Sequence, residues 1–255
     1  MERFSKWRDP KTGVHPFITQ TNIPIMNIII GIVLVPIKLV ILTILCGLGN
    51  GALIQRLKLI VLGYYKFEIT DKSNHKGHII SNHQSFIDVI IYSWMGYSTF
   101  LYPSDVKEDS TDLYSLTPYQ AMKRAIFNSP FTEVQKITID KVKGLAVYFI
   151  EGTTTNGLIM LKPQIKPIEN TAFQWNLVSL KYNEVNPYYN QATNIFVYIY
   201  FLLSKLMCHV HITIMDCKDL KEETFTEFFR NTLRVSTATF DSSAKREFIT
   251  KAKTN

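Results

Sequence analysis

The longest apolar run in the chain covers residues 28 to 48, where two apolar decads, Ile28 to Ile37 and Leu39 to Leu48, are separated only by Lys38, with Pro36 just before it. About twenty such residues suffice for a helix to cross a bilayer. Lys38 at the midplane would cost roughly 2.5–3.5 kcal/mol, and Pro36 would kink the helix. The pattern therefore predicts a kinked or re-entrant element that dips into one leaflet, with Lys38 snorkelling to the headgroups. Basic residues flank it on both sides, Arg3, Lys6, Arg8 and Lys11 before it and Arg56 and Lys58 after it, which suits a segment with both ends in the cytosol. A second apolar stretch, Ile195 to Met207, has thirteen residues. It is too short to span and reads as a buried or interfacial helix.

Elsewhere short apolar runs alternate with helical periodicity. Strands are predicted at 77–81, 98–102, 135–139, 145–150, 176–182 and 210–215, and helices near 86–95, 117–127 and 223–235. Thr224 with Glu227 three later has the form of a capping box for the last of these. Helices interleaved with strands predict an α/β layer structure: a mixed sheet flanked by helices, with an amino-terminal membrane-embedded helical segment. Residues 1–60 then form an arm and the membrane-associated helical segment, and 61–255 a catalytic domain. His209 and His211 share one face of the strand at 210–215. Without a third ligand nearby they read as structural histidines, and no metal site is expected.

The formal charge of +7 favours anionic partners, which include nucleic acid, anionic lipid and the phosphates of coenzyme A. The basic residues are scattered and form no nucleic-acid module, so nucleic acid is not an expected partner. Cys46, Cys208 and Cys217 are odd in number and lack C-x-x-C spacing, which fits a reducing, cytosolic face rather than a disulfide framework. The leader before the apolar run carries Glu2 and Asp9, with no small-x-small cleavage site behind the run, so a cleaved signal peptide is not expected.

The chemistry concentrates in Asn82-His83-Gln84-Ser85-Phe86-Ile87-Asp88, directly after the strand-like His78-Ile79-Ile80-Ser81. Residues five apart do not share a helix face, so His83 should precede the helix, with Ser85 near its N-cap and Asp88 in its first turn. Folded back, Asp88 would fix one ring nitrogen of His83 and leave the other to take a proton from a hydroxyl. The same residues also describe an N-cap followed by a solvated loop histidine. A second block, Val147-Tyr148-Phe149-Ile150-Glu151-Gly152-Thr153-Thr154-Thr155-Asn156-Gly157, then Leu161-Lys162-Pro163, reads as a strand opening into a polar loop, either a ligand-holding loop or an ordinary strand-to-turn junction.

Together, and in this order, the two blocks resemble the glycerophospholipid acyltransferase superfamily, marked by N-H-x4-D and a downstream Glu-Gly-Thr. Trp7-Arg8-Asp9, Thr12-Gly13, Pro16-Phe17, Glu-Gly-Thr-x-x-Asn-Gly and Ala244-Lys245-Arg246-Glu247-Phe248 are similar to the fungal lysophosphatidic acid acyltransferase branch associated with lipid droplets. Leu180-Lys181-Tyr182-Asn183 and the aromatic, polar segment after it also resemble lysophosphatidylcholine acyltransferases.

The resemblance implies acyl transfer from acyl-CoA, as co-substrate, to the free hydroxyl of a lysophospholipid, with lysophosphatidic acid preferred. It implies catalysis by His83 and Asp88 and acceptor contacts from Asn82, Glu151, Gly152, Thr153 and Lys162; the oxyanion of such a reaction needs donors, and backbone N–H groups at the start of the helix after His83 are the available ones. It implies no bound cofactor, membrane lipids as partners, and residence at the endoplasmic reticulum membrane or lipid droplet with the catalytic domain facing the cytosol. The chain departs from the pattern at Thr154, where relatives carry a phosphate-binding arginine, around Met122 to Pro130, and at Asn176-Leu177-Val178-Ser179, where a Val-Pro-Val block is usual. Phosphate recognition then falls to Lys162, Lys123 or Arg124. A coenzyme-A-independent transacylase and a catalytically silent membrane-binding protein are the rival readings.

Overall fold

The computed structural model describes residues 2–19, 25–73, 75–104, 111–131, 134–169, 171, 173–183 and 187–253. The helices are α1 (Ile25–Gly47), α2 (Ala52–Leu62), α3 (Phe86–Trp94), α4 (Pro118–Phe127), α5 (Ile195–Leu203), α6 (Glu222–Leu233) and α7 (Ser242–Lys253). The strands are β1 (Tyr64–Lys72), β2 (His78–Ser81), β3 (Thr99–Pro103), β4 (Leu113–Leu116), β5 (Gln135–Ile137), β6 (Ala146–Phe149), β7 (Trp175–Tyr182) and β8 (Cys208–Asp216). The eight strands form one mixed sheet in the order β1-β8-β7-β2-β6-β3-β4-β5. Its centre, β7-β2-β6-β3, is parallel throughout, while β8 runs antiparallel to β7 and β4 to both β3 and β5.

The central strands are apolar on both faces because both faces are covered. Alternation sends Ile79, Val147, Phe149, Val178 and Leu180 towards α2, α3 and α5, and Ile80, Tyr148 and Leu177 towards Phe225, Phe228 and Phe229 of α6. A third cluster joins the arm to the carboxyl-terminal helix: Trp7 and Phe17 pack with Leu161, Phe248 and Ile249. The segment expected as a strand at 135–139 stops at Ile137 and passes into a 3₁₀ turn, Ile139–Lys141. Thr224 caps nothing. Helix α6 starts earlier, after Lys221, with Glu222 and Glu223 in its first turn, where the helix dipole favours them, and the Thr224 hydroxyl bonds the Asp219 carboxylate instead.

Helix α1 runs unbroken through Pro36. Its stretch Ile28–Gly47 has a mean hydropathy of 2.9 and is long and apolar enough to cross a membrane. Lys38 does not snorkel outward: its Nζ donates to the Lys205 carbonyl just beyond α5. A lysine otherwise surrounded by apolar side chains is better served by a carbonyl of its own protein than by a distant headgroup. The Tyr200 hydroxyl of α5 likewise donates to the Ile28 carbonyl. Gly31 permits this approach, since a Cβ there would lie 2.6 Å from the Tyr200 hydroxyl oxygen.

Candidate active site

Because β7, β2, β6 and β3 are parallel, their carboxyl ends meet at one edge of the sheet, the usual place for ligand-binding groups in open α/β sheets. They deliver Tyr182, His83, Glu151 and Tyr102 there. After β2 the chain turns through Ser85, the N-cap of α3, whose Oγ accepts from Ile87 N while Asp88 returns to the N-cap backbone. This reciprocal cap is the one expected from the sequence, and it places the two partners. His83 Nδ1 lies 2.8 Å from Asp88 Oδ2. The same oxygen accepts from Gln84 N at 2.7 Å and Ser85 N at 2.8 Å, and Oδ1 accepts from the Tyr182 hydroxyl. Four donors hold the carboxylate, so the His83–Asp88 geometry is fixed before any substrate arrives.

A carboxylate only accepts, so Nδ1 carries the ring proton and Nε2 is left as the acceptor. At Nε2 stands the Tyr102 hydroxyl, 3.0 Å away. The imidazole is stacked on Phe149 with centroids 3.8 Å apart, and both His83 and Asp88 are 0 % exposed. The solvated loop histidine is thereby excluded. Burial pulls His83 below its ordinary 6.5, the Asp88 bond and charge oppose this, and the Lys245 and Arg124 charges add to the pull. The ring is neutral at pH 7, the state a general base requires.

The second block lies beside the first but contacts its backbone. Glu151 Oε1 accepts from His83 N at 3.2 Å and Oε2 from Leu161 N at 3.0 Å, and Thr155 N donates to the His83 carbonyl. Glu151 therefore positions the peptide carrying the imidazole. Burial pushes its carboxyl up to about 7, against these hydrogen bonds and the Lys245 charge. Gly152 has φ +68°, and a Cβ there would crowd Pro103 at 3.0 Å. Its carbonyl faces Arg124 Nη2, and the Thr153 hydroxyl donates to Asn128 Oδ1.

The Asn82 side-chain amide pairs reciprocally with the Leu180 backbone at 2.9 and 3.1 Å, extending the β2–β7 ladder past Ser81. The helix-start N–H groups expected to hold an oxyanion are largely engaged, Gln84 N and Ser85 N by Asp88, Ile87 N by Ser85 Oγ and Asp88 N by the Ser85 carbonyl. Lys162 is not brought to His83. It lines a cavity with Lys166, Glu169, Lys221, Glu222 and Glu223.

The cations that do bear on His83 are Arg124 and Lys245. Arg124, 3 % exposed, donates to the Ser129 carbonyl and lies over the rings of Phe131 at 3.7 Å and Tyr102 at 5.4 Å. It also lines a cavity of about 260 Å³ with Lys123, Gln120, Ser129 and Phe131. Lys245 of α7, fully buried, bonds the carbonyl and hydroxyl of Thr154, and burial drives its ammonium well below the ordinary lysine range, with Arg124 adding to this and Glu151 opposing it. Thr154 is thus held by the side-chain nitrogen of a different helix. Tyr102 escaped the sequence reading, and Tyr182 entered it only within the Leu180 to Asn183 resemblance, with no role in the site. Their one signal is position, at the end of β7 and one residue before the end of β3, strands that run parallel beside the His83 strand or next but one to it.

Comparison with protein-family models, curated proteins and solved structures returns no match.

Proposed function

We propose that the chain is a lysophospholipid acyltransferase that moves an acyl chain from acyl-CoA to the free hydroxyl of a lysophospholipid, preferably lysophosphatidic acid, to give phosphatidic acid. The observation that carries this reading is the buried His83–Asp88 dyad, whose carboxylate is saturated by donors and whose second ring nitrogen already bonds a hydroxyl, that of Tyr102. His83 Nε2 takes the proton of the acceptor hydroxyl as its oxygen attacks the thioester carbonyl. The imidazolium, charge-stabilised by Asp88, then returns the proton to the departing coenzyme A thiolate. Arg124, whose charge bears on His83, favours the negative charge that builds on the thioester oxygen. The acceptor phosphate falls to Arg124 and Lys123 in their shared cavity. None of these steps needs a resident metal or cofactor.

Exposed apolar side chains support a lipid substrate. Ile32, Val33, Val40 and Leu48 of α1 and its turn, Leu53 of α2 and Phe196 of α5 are all exposed, and α1 is long and apolar enough to cross a membrane. Because α5 grips α1 from Ile28 to Lys38, about 15 Å of the helix is fastened along the catalytic domain. A helix so fastened lies in one leaflet, with the domain on the cytosolic surface of the endoplasmic reticulum or a lipid droplet. The test is acyl transfer by the purified protein across lysophospholipid headgroups, with and without acyl-CoA. Transfer to lysophosphatidic acid that depends on acyl-CoA is expected. Transfer only from a phospholipid donor would make the chain a transacylase, and no transfer to any acceptor would sink the reading.

A further inference from the structure

The atom on which the proposed reaction depends is covered. His83 is 0 % exposed and its Nε2 is bonded by the Tyr102 hydroxyl at 3.0 Å, so an acceptor hydroxyl has no room to reach it while that contact persists. Tyr102 is itself fully buried, edge-on to His83 and packed on Phe149 and Phe131. Arg124 also bears on the ring: its guanidinium lies 5.4 Å from the Tyr102 centroid, within cation–π range. The same guanidinium lines the cavity shared with Lys123, Gln120 and Ser129. One cation thus touches both the cover and the cavity in which a phosphate would be paired.

We propose that Tyr102 is a displaceable cover on the base, holding the place of the acceptor hydroxyl at His83 Nε2, and that an acceptor phosphate bound by Arg124 and Lys123 releases it. The inference rests on the acyltransferase reading of His83. The coupling is electrostatic: a phosphate drawn onto Arg124 competes for the positive charge that grips the tyrosine ring, and the acceptor hydroxyl then replaces the tyrosine hydroxyl on Nε2, a like-for-like exchange of one O–H donor for another. A ligand binding a state that is only partly populated has its apparent affinity lowered by that fraction. Tyr102 therefore weakens acceptor binding while keeping water and stray hydroxyls from the base. Selectivity follows, because a lysophospholipid without an exposed phosphate cannot loosen the cover.

The experiment uses full-length protein in detergent micelles, with lysophosphatidic acid as the probe and two readouts, acyl transfer kinetics and the ¹⁵N resonances of labelled histidine. Tyr102→Phe removes one hydroxyl and keeps the ring. Its KM for lysophosphatidic acid should fall about three- to tenfold, the equivalent of one neutral hydrogen bond, with kcat within about threefold and the acyl-CoA KM unchanged. The His83 Nε2 resonance should shift in Y102F, and should shift in the wild type on adding lysophosphatidic acid. A hundredfold fall in kcat at constant KM would make Tyr102 part of the proton path, and an Nε2 resonance unmoved by the substitution or by the acceptor would remove the cover altogether. If wild type transfers to no lysophospholipid, the acyltransferase reading fails, while the resonance still judges the cover.

Discussion

Two histidine–carboxylate pairs in this molecule have nearly the same contact distance and opposite prospects. His83 Nδ1 lies 2.8 Å from Asp88 Oδ2, and His211 Nδ1 lies 2.9 Å from Glu68 Oε2. The side chains of the first pair are 1 % and 0 % exposed, those of the second 36 % and 49 %. Asp88 receives three further donors from Gln84, Ser85 and Tyr182, and its histidine sits between Phe149 and Tyr102. Glu68 stands on the exposed strand β1 and His211 also meets the Asn183 amide. Distance alone makes an ion pair. A base additionally needs a carboxylate that cannot wander and a second nitrogen in a place that excludes water, and only the strand-end turn at His83 supplies both.

The largest break in that contrast comes from His83→Ala, which should lower acyl transfer by about 10²–10⁴-fold and leave membrane binding intact, as flotation with vesicles would register. His211→Ala, assayed in parallel, should stay within about twofold of wild type. Next comes Asp88→Asn, which sets an amide against donors that need an acceptor. Transfer should fall about a hundredfold or more, and thermal unfolding should show a loss of about 1–3 kcal/mol from donors left unsatisfied. Its pH profile sharpens the point. Burial already lowers the His83 pKa, so the acid limb of wild-type kcat/KM should lie below pH 6.5. The Asp88 charge raises that pKa, so removing it should carry the limb to still lower pH, and a limb that moves upward would contradict the dyad.

The same contrast extends to the cations. Arg124→Met should raise the KM for lysophosphatidic acid about ten- to hundredfold, the loss of a hydrogen bond to a charged group. Lys162→Met, on the other cavity, should leave it nearly unchanged, and reversed results would return phosphate recognition to Lys162. The smallest effect belongs to Glu68→Gln, which should cost at most about 1 kcal/mol in chemical denaturation, as exposed ion pairs do, with kinetics untouched.

The His83 turn was legible because its signal is local: Ser85, Asp88 and the five-residue spacing all lie within one cap. The central strands were legible because burial on both faces leaves unbroken apolar runs such as Val147-Tyr148-Phe149. Strand β1 was not, since it is an outer strand whose Lys66, Glu68, Asp71 and Lys72 give no apolar face. Strand β4, four residues long, is too short for periodicity to register. Helix α2 follows so closely on the apolar run that it read as part of the membrane segment. Tyr182, Arg124 and Lys245 come to the site across long sequence separations, and Lys162, which follows Glu-Gly-Thr at the expected interval, lines a separate cavity. Spacing along the chain does not reveal which cavity a side chain lines.

The loop after Glu151 is held from both directions of the chain: Asn156 Nδ2 donates to the carbonyls of His15 and Ile18, and Lys245 holds Thr154. On the ribosome these partners emerge in order. The arm and α1 come first, His83 follows, and Lys245 appears only after a further stretch that takes roughly ten to thirty seconds at about 5–20 residues per second. Until then the loop that steadies His83 lacks one of its ties. The arm and α1 are thereby in place before the loop beside His83 gains its last tie, so the site reaches its final geometry late.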